Sequence, residues 1–229
     1  MSNLCIITAR GGSKRIPRKN IRPFLGKPII AYSIEAALNS GVFDEVMVST
    51  DDEEIASVAR EYGAAVPFLR SEASSNDFAT TADVLNEVLD EYEKLGKVFD
   101  FFACVYPTAP FVTGDKLKAA MKSITLSDAD SIRTVVQYSY PPQRAFVLKD
   151  GILSYQYPQY YRTRSQDLEP IYHDCGQFYI YRTSSFRKFG DSGKMLPIVM
   201  PEEETQDIDN YSDWDLAEVK YRKFILKEG

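Results

Sequence analysis

The sequence predicts an α/β fold: a Rossmann-like, doubly wound domain built on a mainly parallel sheet and interrupted by one inserted segment. Two observations carry this. Short apolar runs rich in β-branched residues, at 4–8 and 45–50, alternate with stretches of helical period, and each run ends in glycine or in a Ser/Thr/Asp turn. Strand, helix, strand, helix at this spacing implies right-handed crossovers between parallel strands, with ligands gathering beyond the strands' carboxyl ends. At Tyr138 the alternation stops, and residues 138–181 become rich in Tyr, Pro and Gln.

In chain order, residues 4–8 form the first strand and turn at Gly11-Gly12. A helix follows over 29–38, with Ile30, Ile34, Ala37 and Leu38 on one face and Gly41 as its stop. The strand at 45–50 ends in Ser49-Thr50-Asp51-Asp52, which suits the cap of a helix that turns Ile55, Val58, Ala59 and Tyr62 inward. Residues 65–69 read as a short strand leading to Arg70. The next helix starts near Thr80-Thr81 and buries Val84, Leu85, Val88, Leu89 and Tyr92. Residues 101–106 are the most apolar run, hence a central strand, and deliver Tyr106-Pro107-Thr108-Ala109-Pro110 to the rim. A helix over 115–126, strands at 131–137 and 197–200, and a helix carrying Trp214, Leu216, Ala217 and Val219 complete the pattern.

At 229 residues the chain fits one domain, 1–229, with 138–181 as an insertion. A net charge of -6 argues against nucleic acid as the main partner. The apolar run at 4–8 is too short for a secretory signal and no stretch approaches a membrane span, so a cytoplasmic protein is expected. Cys5, Cys104 and Cys175 form no C-x-x-C pair and read as reduced thiols.

The charge is unevenly spread. Arg10, Lys14, Arg15, Arg18, Lys19, Arg22 and Lys27 all precede Glu35, the first acid in the chain. Concentrating cations in one loop of an acidic protein costs self-repulsion, which a polyanion such as a triphosphate would offset. Gly11 and Gly12 fit that reading, because backbone N–H groups without a neighbouring Cβ approach phosphate oxygens closely. The P-loop pattern G-x-x-x-x-G-K-S/T is excluded, since Ser13 and Arg18 precede Lys14 and Lys19 and Pro28 follows Gly26-Lys27. The dinucleotide pattern G-x-G-x-x-G fails as well, with Ser13 after Gly11-Gly12.

What remains, Ala9-Arg10-Gly11-Gly12-Ser13-Lys14 with Lys19-Asn20, resembles the signature A-R-x-G-S-K-x-x-x-x-K-N of the cytidylyltransferases that activate 2-keto sugar acids, the CMP-sialic acid synthetase family. The resemblance implies that CTP lies along Ala9, Arg10, Gly11, Gly12, Ser13, Lys14, Lys19 and Asn20. Arg10, Lys14 and Lys19 would hold the triphosphate and Asn20 the ribose or base. It also carries Arg70 and Thr81 over as nucleoside contacts, although Thr80 or Thr81 serves equally well as a plain helix cap. Family members usually have Gln-Pro-Thr-Ser-Pro where Tyr106 and Ala109 replace the Gln and the Ser here, which points away from ordinary sialic acid. The segment from Arg164 to Tyr179, R-S-Q-D-L-x-x-x-Y-H-D-x-G-Q-F-Y, resembles the branch that activates pseudaminic acid.

Near the carboxyl terminus, Gln206-Asp207-Ile208-Asp209-Asn210 places two carboxylates on the same side of an extended segment, where they can converge on one hard cation. On spacing alone a helix-entry motif fits as well; the family's equivalent D-x-D implies Mg2+ on Asp207 and Asp209. The implied reaction is attack of a sugar's anomeric hydroxyl on the α-phosphorus of CTP, with Arg10, Lys14, Lys19 and Asp209 carrying catalysis and no covalent intermediate. The acceptor is expected at Tyr106, Arg164, His173, Gln177 and Tyr179, with an arginine suited to grip the sugar carboxylate. A lone histidine such as His173 is more often structural. Glu202-Glu203-Glu204 reads as a solvated acidic loop. The aromatic insertion suits a partner subunit, and by resemblance it is where a homodimer forms. Rival readings are activation of sialic, legionaminic or 3-deoxy-octulosonic acid, a non-catalytic nucleotide sensor, and a glycosyltransferase with a D-x-D site. The loop's charge argues against the last.

Overall fold

The structure, a computed structural model, describes residues 1–228. Its first half runs β1 (Asn3–Thr8), a small antiparallel hairpin of β2 (Pro23–Phe24) and β3 (Lys27–Pro28), α1 (Ile29–Ser40), β4 (Glu45–Ser49) and α2 (Glu53–Glu61). The short α3 (Glu72–Ser75), α4 (Thr81–Lys94), β5 (Phe101–Val105), α5 (Gly114–Thr125) and β6 (Ser131–Gln137) follow. Next come β7 (Phe146–Lys149), β8 (Ile152–Tyr155), β9 (Tyr172–Arg182), α6 (Thr183–Phe189), β10 (Met195–Val199) and α7 (Tyr211–Lys220).

Six strands make the main sheet in the order β10-β6-β9-β5-β1-β4. β1 runs parallel to β4 and β5, β10 runs parallel to β6, and only β9 is antiparallel to its neighbours. Because side chains alternate along a strand, Cys5 and Ile7 meet α1, α2 and α5 through Ile30, Ile34, Ile55 and Leu117. Leu4 and Ile6 meet α4 and α6 on the other face through Leu85, Leu89, Tyr92 and Phe186. Both faces are thus covered, as the uninterrupted apolar runs require. Every residue of β5 is buried, in keeping with its place inside the sheet.

Helix boundaries follow local chemistry. Asp52 caps α2 by accepting from the backbone of Glu54 and Ile55, and Thr80 and Asp83 form a reciprocal capping box on α4. Gly41 ends α1 in the left-handed conformation, and Leu38, placed on the inward face by its spacing, is left exposed near that end.

A third cluster matters most for function. Ile16 and Phe24 from the basic loop and its hairpin pack with Ile29, Tyr32, Phe111, Ile208, Trp214 and Ala217. It pins the amino-terminal loop against the carboxyl-terminal segment, so chain regions far apart in sequence share one rim of the sheet.

Three expectations need correction. Residues 65–69 are not a strand: only Ala65 bridges to Met47, and Pro67, which lacks an N–H, interrupts any continuation. The inserted segment divides, since residues 138–171 stay outside the sheet while Tyr172–Arg182 enters it as β9. Glu202-Glu203-Glu204 is not simply solvated, because Glu204 pairs with half-buried Lys116 at 2.6 Å and Glu202 accepts from the Ser139 hydroxyl at 2.5 Å. Within the outlying part, β7 and β8 form an exposed hairpin that leaves Leu148 68% and Ile152 72% accessible.

Candidate active site

The basic loop sorts its cations into two groups. Arg18, held at a left-handed φ of 56°, pairs with Asp52 and Glu54; Arg22 lies 5.1 Å from the Tyr211 ring centroid; Lys27 pairs with Glu35. Those three fasten the loop to the body. Arg10, Lys14, Arg15 and Lys19 are left to line a cleft of about 510 Å³ at the carboxyl ends of the strands.

The glycines act differently from the sequence expectation. Gly11 donates its N–H to Asp51 at 2.8 Å, and a Cβ there would come within 2.8 Å of an Asp52 carboxylate oxygen. Its lack of a side chain therefore serves packing, and its N–H is already engaged. Gly12 faces open space, and Ser13 lines the cleft. Ala9 is fully buried, with its N–H on the Ser49 carbonyl at 2.9 Å, and Asn20 braces the loop by donating to the Arg10 carbonyl at 2.9 Å.

Across the cleft stand the paired acids. Ile208 is buried in the third cluster, and alternation along the extended chain turns Asp207 and Asp209 the other way. Arg15 reaches Asp209 at 2.6 Å and Lys19 donates to the Ile208 carbonyl at 2.7 Å. The basic loop and the acid pair therefore meet directly. Burial lowers the pKa of Lys19 while Asp209 and Asp207 push it back up; burial and then the Asp209 charge raise that of Asp207. A buried Asp207 carboxylate whose charge is disfavoured beside Asp209 is a donor that a divalent cation would relieve. Among the described residues no group of three or more His, Cys, Asp or Glu side chains is placed to hold a metal ion.

The far end of the cleft is lined by Arg70, Thr81 and Tyr106. Arg70 is buried and donates to the Ser49 hydroxyl at 3.1 Å and carbonyl at 2.7 Å; burial lowers its pKa against the opposing charges of Asp51 and Glu87. Thr80, not Thr81, is the cap of α4, so the Thr81 hydroxyl is left free of that duty and faces Tyr106. A second chamber of about 610 Å³ is lined by Asp207, His173, Asp174, Gln206 and Lys220 among others, and a smaller pocket of about 330 Å³ shares Thr80, Thr81 and Tyr106 with the cleft and Asp174 with the second chamber. His173 packs at a 49° tilt against Tyr138 with ring centroids 4.6 Å apart. Tyr179 packs against Tyr106, centroids 5.6 Å apart.

Three of the expected acceptor residues line neither the cleft nor the second chamber: Tyr179 lines the smaller pocket, and Gln177 and Arg164 lie elsewhere. Gln177 is only 1% exposed, donates to the Glu204 carbonyl at 3.2 Å and lines neither chamber. Arg164 sits on the outlying segment, paired with Asp167 at 2.8 Å. Conversely, sequence reasoning passed over Arg15, one more cation in a crowded loop, and Asp77, whose carboxylate bridges Arg10, at 3.0 Å, and Lys14. The sole signal for Asp77 was its polar loop after Arg70.

A mixed α/β sheet whose carboxyl rim sets a basic loop against two carboxylates defines a nucleotide-handling α/β enzyme. The family model described as cytidylyltransferase matches residues 4–205. A pseudaminic acid cytidylyltransferase of Campylobacter jejuni is 42% identical over 225 residues, covering 97% of both chains. A CMP-N,N'-diacetyllegionaminic acid synthase of Legionella pneumophila is 35% identical, covering 95% of each. Among solved structures, a CMP:2-keto-3-deoxy-manno-octonic acid synthetase complexed with CTP covers both chains fully with a TM-score of 0.70 at 18% identity, a likeness of fold. The chain belongs to the cytidylyltransferase family.

Proposed function

We propose that this enzyme transfers CMP from CTP to the anomeric hydroxyl of a nine-carbon 2-keto sugar acid, pseudaminic acid, releasing pyrophosphate. The observation that carries the reaction is the direct meeting of the basic loop with the acid pair, Arg15 on Asp209 and Lys19 on the Ile208 carbonyl, at one rim. The choice of acid is supported by the near full-length identity to pseudaminic acid cytidylyltransferases and by Tyr106 in the cleft wall.

Arg10, Lys14, Arg15 and Lys19 hold the triphosphate and neutralise charge as it moves toward the leaving pyrophosphate, with Arg10 and Lys14 exchanging Asp77, and Arg15 exchanging Asp209, for phosphate oxygens as CTP binds. Arg70 and Thr81 hold the nucleoside end. The second chamber, with His173 and Asp174 in its wall, orients the sugar acid so that its hydroxyl lies in line with the α-phosphorus, while Tyr106 and Tyr179 line the smaller pocket beside the cleft. A magnesium ion on Asp207 and Asp209 would supply Lewis-acid stabilisation of phosphoryl charge and acidify the attacking hydroxyl.

The working unit in this reading is a homodimer formed through residues 138–171, whose hairpin exposes Phe146, Leu148, Ile152 and Leu153. Arg164, which lines neither chamber of its own chain, would then serve the partner's acceptor site. A cytosolic location is in keeping with three free thiols.

Pyrophosphate release from CTP and Mg2+ with pseudaminic, legionaminic, sialic and 3-deoxy-octulosonic acids in turn tests the reading. Turnover with pseudaminic acid well above the others is expected. Pseudaminic acid inert while another acid works would overturn the choice of acceptor, and CTP binding without any turnover would leave a nucleotide sensor.

A further inference from the structure

β9 does not pair smoothly with β6. Arg133 faces Tyr179 but Val135 faces Asp174, so extra residues of β9 bulge out between the two pairs. Bulges re-aim side chains beside functional sites, and this one touches both halves of the crevice. The Gln177 carbonyl accepts from the Tyr106 N–H at 2.9 Å, at the point where β5 hands the chain to the cleft. The Gln177 side chain donates to the Glu204 carbonyl at 3.2 Å, in the loop that leads to Asp207.

One carboxylate holds the bulge closed. Asp174 Oδ1 accepts from the Gly176 N–H and from the Tyr179 hydroxyl, each at 2.8 Å. Its Oδ2 pairs with Arg133 at 3.2 Å, and Arg133 is held in turn by Asp191 at 2.6 Å. Gly176 has a φ of +62°, a conformation that favours glycine, so the turn Asp174 closes is also written into the residue two places on. Tyr179, fixed by that hydroxyl bond, supports the Tyr106 ring edge-on.

We propose that Asp174 is a positioning residue for the acceptor half of the reaction: by clamping the β9 bulge it sets both the Tyr106 wall and the Glu204-to-Asp207 loop. It acts through those groups and leaves the triphosphate cradle untouched, since Arg10, Lys14 and Lys19 are carried by a different strand and loop. The kinetic half of the proposal rests on the reading of the second chamber as the acceptor site.

Two variants and two readouts test it. In Asp174→Ala, backbone hydrogen exchange at Tyr106 and across residues 204–207 rises while that of the 10–20 loop does not. The KM for the sugar acid increases roughly 10- to 100-fold, the scale of an ångström-level misplacement, with CTP affinity unchanged within about twofold. Asp174→Asn keeps an oxygen for Gly176 and Tyr179 while giving up the charge pairing with Arg133, so it recovers most of the acceptor KM. It also serves as the test protein if the alanine variant does not fold, its exchange at Tyr106 then exceeding wild type by a smaller margin. Unchanged exchange at Tyr106 and 204–207 overturns the proposal, as does an equal loss for CTP and sugar acid. Raised exchange in a protein whose wild type turns over no sugar acid would instead retain the clamp and refute the acceptor reading.

Discussion

Replacing Lys19 with methionine keeps most of the aliphatic stem and removes the ammonium group that donates to the Ile208 carbonyl at 2.7 Å. Beyond burial, the Asp209 and Asp207 charges favour its ammonium form and those of Arg15 and Arg10 oppose it. A charge-assisted hydrogen bond is worth about 1.5–3 kcal/mol. If the bond to a CTP phosphate is of this kind, its loss weakens CTP by roughly 10- to 150-fold, at about 1.4 kcal/mol per tenfold. Calorimetric titration of CTP in Mg2+ should show that loss, while the KM for the sugar acid at saturating CTP moves by no more than about twofold. Lys19→Arg should recover part of the affinity, because it restores charge but not the compact reach of an ammonium. Equal losses for CTP and acid, or unchanged CTP affinity, would place the triphosphate elsewhere and refute the reasoning.

Asp207→Asn should raise the Tm of the metal-free protein at pH 7. Its carboxyl is pushed above the ordinary 3.8 by burial and Asp209, so the cost of ionising it in the fold is present above its raised pKa and disappears as the pH falls below 3.8; melting curves of both proteins from pH 7 down should converge in acid. Asp209→Ala should retain the fold by circular dichroism and lose pyrophosphate release by roughly 100-fold or more, and full activity would remove its catalytic role. Asp77→Asn frees Arg10 and Lys14 from their bridging carboxylate and should tighten CTP several-fold by titration; weaker binding would mean that Asp77 itself contacts the nucleotide. Leu148→Glu with Ile152→Glu puts charge on the exposed hairpin and should shift the mass measured by light scattering from dimer to monomer.

Most of the alternation of strands and helices through residue 137 could be read because each element writes its own local period: Cys5 and Ile7 face one layer, Leu4 and Ile6 the other. Both halves of the crevice were also legible, since Arg10 to Lys19 crowd one charge and Asp207 and Asp209 flank an apolar Ile208. What the sequence could not show is how the cations divide. Arg18 looks like Lys19 on paper, but a left-handed backbone and the Asp52 carboxylate turn it away from the cleft. Nor could β9 be placed, because its pairing with β6 is antiparallel, distant in sequence and offset by a bulge, while its tyrosines look like those of the outlying segment before it. Gln177 was expected in the acceptor segment from the motif it belongs to, and in the structure it is 1% exposed and donates to the Glu204 carbonyl.

The most direct test is CTP titrated with and without Mg2+ into wild-type protein and into the Asp207→Asn, Asp209→Asn double variant. A cation clamped between the acid pair and the triphosphate predicts that Mg2+ tightens CTP for the wild type and fails to do so for the variant. The same Mg2+ enhancement in both proteins would contradict it.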